Sequence, residues 1–153
     1  MLRAIGILMA VSAGALTSYC LVKNASRRIS DLGVLAEFFG YAANSIGHTR
    51  TPFDEIVVSF TAMTDSNLFL SCYDEKTHSL DLSERLSELH ATVFDGIEKI
   101  KTSSPDIAEK TAEMLCEIIG EQKRKGDSEF EKKKKAYMTL PVCFALLLLI
   151  FLL

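Results

Sequence analysis

Charge is missing from two long stretches of this chain, Ala4 to Val22 and Ala136 to Leu153, and every acidic residue lies between them. The chain has 153 residues with 17 basic and 20 acidic side chains, so these runs do not reflect a protein poor in charge. Such segregation excludes an ordinary soluble globule. It also excludes a large enzyme, because only residues 23–135 are left as water-soluble material, enough for one small domain with a modest core.

The C-terminal run AYMTLPVCFALLLLIFLL has 18 residues. As a helix it extends about 27 Å, close to the roughly 30 Å of a bilayer's hydrocarbon core. It predicts a transmembrane helix over 136–153, with Pro141 near the start, where a lost backbone bond can be met at the interface. The N-terminal run AIGILMAVSAGALTSYCLV supports two readings. After Met1, Leu2 and Arg3 it can begin a secretory signal peptide, with Ala13 and Ala15 framing a cleavage site. The apolar stretch continues past that site to Val22, which favours an uncleaved transmembrane helix over 1–22.

The flanks set the topology, because Lys and Arg beside a span are retained on the cytoplasmic side. Lys23, Arg27 and Arg28 follow the first run, and Lys132, Lys133, Lys134 and Lys135 precede the second. These residues are expected at the membrane interface, and the domain over 23–135 is expected in the cytoplasm. The four cysteines agree: Cys20 and Cys143 sit inside the apolar runs, Cys72 and Cys116 are isolated, and no C-x-x-C pair occurs.

Between the runs the dominant period is helical. Ile29, Leu32, Leu35, Phe39, Ala42 and Ile46 share one face, with Gly47 as the expected stop. Thr51, Pro52 and Asp54 read as a helix start, with a capping hydroxyl, a proline at the first helical position and a carboxylate in capping-box register. Phe53, Ile56, Val57, Phe60 and Met63 form the next stripe, and residues 65–80 are ambiguous. A third helix carries Leu82, Leu86, Leu89, Val93, Ile97 and Ile100, with ion pairs expected at Asp81/Arg85 and Asp95/Lys99. Ser103-Ser104-Pro105-Asp106 repeats the cap-then-proline start. From Ile107 the apolar face is Thr111, Met114, Leu115, Ile118 and Ile119. The expected fold is all-α, a small antiparallel helical bundle between an N-terminal and a C-terminal transmembrane helix.

Residues 29–121 hold seventeen acids against six bases, a net of −11, while the segments beside the apolar runs are basic. Glu109, Glu113, Glu117 and Glu121 follow one another at intervals of four along a helix, nearly opposite its apolar stripe. Like charges at that spacing cost roughly 0.2 to 0.5 kcal/mol each, so the ridge is a candidate surface for a basic partner. The plainer reading is a solvated helix face.

Nothing in the sequence supports catalysis. There is no G-x-x-x-x-G-K-[ST] loop and no H-E-x-x-H, and His48, His78 and His90 are far apart. Ser71-Cys72 lacks the glycine-framed elbow of a hydrolase nucleophile. The expectation is a non-enzyme with no catalytic residue, no cofactor and no metal.

The order of these features resembles the stage III sporulation protein AB family, small membrane proteins of the mother-cell-to-forespore channel of endospore-forming bacteria. The resemblance rests on Met1-Leu2-Arg3 with Gly6, on Arg27-Arg28, on Ile46 followed by Thr51-Pro52-Phe53, and on Lys132 to Lys135 leading through Tyr137 and Leu140 into a Leu/Ile-rich end. The chain departs from the family pattern at Asn44, Phe53, Pro141 and Ala145. Members of that family look like the cytoplasmic helical domains of type II secretion and type IV pilus inner-membrane platform proteins. The resemblance implies a non-catalytic scaffold in the mother-cell membrane that recruits a secretion-type ATPase through its cytoplasmic helical domain. Its partners would be that ATPase, other membrane components of the sporulation channel and the lipid bilayer, with room for a homo-oligomer and no nucleic acid. The alternative is a signal-peptide-bearing, C-terminally anchored extracytoplasmic protein that binds a ligand.

Overall fold

The structure is a computed structural model that describes residues 2–64, 67–74 and 79–152; the side chains at 2–5, 7–8, 10–11, 67, 70, 79, 140–142, 145 and 148–152 lie outside the description. The elements are α1 (Leu2–Thr49), α2 (Phe53–Met63), α3 (Asn67–Cys72), β1 (Tyr73–Asp74), β2 (Ser79–Leu80), α4 (Ser87–Thr102) and α5 (Pro105–Leu152). The chain is therefore mostly helical, as its 3.6-residue apolar period requires. The ambiguous stretch becomes α3 and a two-residue antiparallel ladder that pairs Tyr73 with Leu80 and Asp74 with Ser79. Residues 65–66 and 75–78 lie outside the described residues.

Two compact units are present, one formed by Met1–Ile29 with Arg124–Leu153 and the other by Ser30–Lys123. The second unit, the body, holds the core. Leu32, Leu35, Phe39, Ala42 and Ile46 of α1 are buried as their spacing predicts, joined by Phe38 and Ala43. Phe38 is the hub. Its ring lies 4.8 to 5.8 Å from those of Phe39, Phe53, Phe60 and Phe69, three of them edge-on, an arrangement that favours aromatic pairs beyond simple burial. From α2, Phe53, Ile56, Val57 and Phe60 enter this cluster, whereas Met63 at the last turn is 74% exposed.

The third stripe is buried at all six positions, yet only part of it is helical. Leu82 and Leu86 reach the core from a turn whose backbone closes with Leu86 N–H on the Leu82 carbonyl at 2.8 Å, and α4 begins at Ser87. The expected Asp81–Arg85 pair does not form, because that turn aims Arg85 at Asp31 of α1, 3.5 Å away and largely buried, and among the described residues Asp95 and Lys99 do not pair either. Asp81 instead accepts the Ser83 N–H at 2.9 Å, and its carboxyl is held below its usual pKa first by the Ser83 hydroxyl and second by that N–H. On α5 the buried line is Ala108, Thr111, Ala112, Leu115 and Ile119; Ile107 and Met114, expected inside, are nearly half exposed. Small alanines let α5 approach its neighbours, and Gly96 of α4 lies so close that an added Cβ would stand 2.6 Å from Leu115 Cδ1.

In the other unit α1 and α5 run antiparallel. Ser18 Oγ donates to the Tyr137 carbonyl, and Ile29 packs beside Gly126. The half-buried residues, Gly14, Ser18, Val22, Ala25 and Ile29 facing Gly126, Phe130, Lys134 and Tyr137, recur at steps of three and four, the seam spacing of paired helices. Outside that seam Leu16, Tyr19, Phe144 and Leu147 are each more than 60% exposed. Among the described residues no helix is long and apolar enough to cross a membrane. Much of both apolar runs has side chains outside the description.

Candidate functional site

The four glutamates of the ridge lie on α5, but not as one face opposite the apolar stripe. A step of four residues exceeds one helical turn by about 40°, so the ridge winds around the helix. Glu109 is half-buried against α1, where its carboxylate occupies the space a side chain on Gly47 would need. Glu113 and Glu117 are exposed and form no ion pair among the described residues, and Glu121 is exposed one turn further on. The structure therefore separates one packed glutamate from a pair of solvent-facing ones.

That pair borders an open groove of about 650 Å³ in the body, lined by Gly40, Ala43 and Asn44 of α1 and by Lys110, Glu113, Met114, Cys116 and Glu117 of α5. Two helices with small residues at their contact leave this groove: the position of a Gly40 Cβ is 3.6 Å from Cys116 Sγ and meets nothing nearer. Cys116 donates its thiol to the Ala36 carbonyl at 3.3 Å. Burial, with the Glu117 carboxylate as the smaller cause, pushes that thiol's pKa up, so it stays neutral.

The capping residues behave differently from expectation. Thr51 makes no cap on α2; its hydroxyl lies 2.6 Å from that of Thr49, and Pro52, with ψ 145°, becomes the residue preceding the helix. Asp54 thus stands one position nearer the helix start and lies 3.6 Å from Lys101 of α4. The reason lies at the end of α1, which passes Gly47 and stops at Arg50, a non-glycine residue with φ 53° whose N–H bonds the Ile46 carbonyl. That left-handed turn draws Thr51 back toward Thr49. In the second cap-then-proline motif the proline stands where it was read, Pro105 being the first residue of α5, and the Ser104 carbonyl accepts from Ile107 and Ala108.

The basic residues expected at an interface, Lys23, Arg27, Arg28 and Lys132 to Lys135, all belong to the helix-pair unit, whose limits fall at 29 and 124. All are exposed except the half-buried Lys134. Acidic neighbours on α5 temper the run: Lys133 bonds Glu129 at 2.9 Å and Lys134 lies 3.7 Å from Glu131. Lys23 lies over the Tyr19 ring and Lys134 over that of Phe130.

No family model, no curated protein and no solved structure matches this chain. What it can do is therefore argued from its own geometry. Among the described residues no group of His, Cys, Asp and Glu is arranged to hold a metal ion. His90 accepts the Leu82 N–H at 3.2 Å and stacks near Phe94, the setting of a structural imidazole. The ridge was legible from its spacing, whereas the groove beside it was not, because the small residues Gly40 and Ala43 carry no periodic signal of their own.

Proposed function

We propose that this chain is a membrane-anchored, non-catalytic scaffold, its helical body recruiting a cytoplasmic secretion-type ATPase and its apolar ends crossing the bilayer as two helices. The observation that carries this reading is the separation of charge: an acidic middle, −11 over residues 29–121, basic segments on either side and two uncharged runs. Basic residues beside a span favour the cytoplasmic side, each contributing on the order of 1 kcal/mol of attraction to anionic lipid. The exposed apolar side chains of the helix pair support it, since a single seam leaves Leu16, Phe144 and Leu147 to be covered by lipid or by other helices of a channel. A role in a sporulation channel follows from the family resemblance alone and is proposed on that ground.

Native thiols test the topology. In intact cells a membrane-impermeant thiol reagent should leave Cys72 and Cys116 unlabelled and should reach them after lysis. Labelling before lysis overturns the reading. Copurification of a hexameric ATPase with the full-length chain from sporulating cells is the expected result for the adaptor role, and its absence under crosslinking removes that role.

A further inference from the structure

We infer that the groove between α1 and α5 receives a basic amphipathic helix of a partner protein, its small apolar residues against Gly40 and Ala43 and its cations against Glu113 and Glu117. The inference rests on the adaptor reading and names the surface and the chemistry through which that role would act. The groove walls are themselves helices, and the space between two packed helices fits the ridge of a third. Its floor is small and apolar, formed by the buried Ala43 and by the half-buried Gly40, whose missing side chain lets Cys116 of α5 pack close. Met114, 47% exposed, supplies an apolar flank, and the exposed Asn44, whose side-chain amide donates to the Gly40 carbonyl at 3.1 Å, stands at the rim.

Charge selects the occupant. Glu113 and Glu117 lack ion pairs among the described residues, and neighbouring positions four apart on a helix stand about 5–6 Å from each other. A partner helix carrying Lys or Arg at the same interval meets both. Glu37, one turn from Gly40 and two from Asn44 on α1, adds a third carboxylate near that face, while Lys110 is the single cation among the lining residues. The same sign of charge opposes nucleic acid and anionic lipid headgroups. Leaving two like charges one turn apart, with no lysine interleaved, costs the isolated helix stability that a basic partner would return.

The test uses the full chain in lipid nanodiscs and two labelled synthetic peptides, an alanine-rich helix with lysine at every fourth position and its counterpart with glutamate. The lysine peptide is expected to bind, to weaken as salt rises and to slow alkylation of the native Cys116, while the glutamate peptide does none of these. Glu113→Lys with Glu117→Lys should weaken binding by about tenfold or more. Asn44→Trp, which fills the groove without altering charge, should weaken it comparably, with circular dichroism confirming that both variants fold. Undiminished binding to Asn44→Trp together with unprotected Cys116 means diffuse attraction and overturns the groove. Self-association of the native chain that the double reversal abolishes assigns the groove to a second copy and overturns it as well. The adaptor reading fails separately: an ATPase that copurifies equally with native and Asn44→Trp chains sinks the groove alone, whereas peptide docking without any copurifying ATPase sinks the adaptor role alone.

Discussion

The body, Ser30–Lys123, and the helix pair, Met1–Ile29 with Arg124–Leu153, treat apolar side chains in opposite ways. In the body Phe38, Leu35, Phe39, Leu82, Leu115 and Ile119 are completely withdrawn from solvent. In the helix pair no described side chain is fully buried, and Phe144 and Leu147 stand open. The same two helices, α1 and α5, contribute to both units, so helix formation is not what distinguishes them. Two helices meeting along one line can bury one seam each. Additional helices, α2 and α4, are what close the body's core. The contrast teaches that the body can be stable by its own packing, whereas the pair needs a medium or further helices that accept its apolar flanks.

The largest test of this contrast removes bulk from each region. Phe38→Ala deletes the ring that four others surround and should cost about 3–5 kcal/mol in denaturant unfolding of the detergent-solubilised chain. Leu147→Ala, at a side chain 61% exposed, should change the same transition by less than about 0.5 kcal/mol. Equal losses at both sites would erase the distinction.

A smaller effect comes from one substitution made at two glycines. Gly96→Ala forces a methyl against Leu115, a fully buried side chain with little room to turn, and should destabilise by roughly 1–3 kcal/mol. At Gly120 nothing lies within 4 Å of the added carbon, and Gly120→Ala should stabilise by about 0.5–1 kcal/mol through helix propensity. Opposite signs in thermal unfolding are the expected outcome. A gain at Gly96 would mean that α4 and α5 are not in close contact.

Much of the body was legible in the sequence because its stripes are long and apolar: the α1 face from Leu32 to Ile46, the α2 face from Phe53 to Phe60 and the line from Leu82 to Ile100 are buried as read, while Ile29 at the start of the α1 face is half-buried. The misreadings have physical causes. On α5 the weight of Ile107 and Met114 pulled the expected face to one side, although Ala108 and Ala112 do the packing there because closeness, not bulk, is what that contact needs. Leu82 and Leu86 kept helical spacing within a turn, since one i→i−4 bond sets the same offset without a helix. Glu109 belonged by spacing to the acidic ridge, and only the three-dimensional approach of Gly47 separates it from Glu113 and Glu117. The groove required both helices at once, so neither helix's periodicity could announce it.

Arg50 offers a change of intermediate to small size. Its positive φ of 53° is a conformation that glycine adopts freely and a side chain does not, and the residue closes α1 where the sequence pattern pointed to Gly47. Arg50→Gly should stabilise the body by up to about 1 kcal/mol and leave the Thr49–Thr51 hydroxyl contact intact. A loss of stability would show that the guanidinium does more than tolerate the turn.

The smallest expected effect is a shift along the pH axis at Cys116. Its thiol pKa is raised first by burial and second by the Glu117 carboxylate, so the folded state favours the neutral thiol. A folded-state value above the unfolded one means that this group's contribution to stability is complete below the unfolded thiol's pKa and is lost as pH rises through the folded one. Alkylation needs the thiolate, so its rate at Cys116 should climb at higher pH in the native chain than in the chain unfolded in urea. Glu117→Gln removes the smaller cause and should move the profile part of the way back, leaving the share due to burial. Coincident native and unfolded profiles would place Cys116 in open solvent, and the body would then lack the close packing along α1 and α5 that sets it apart from the helix pair.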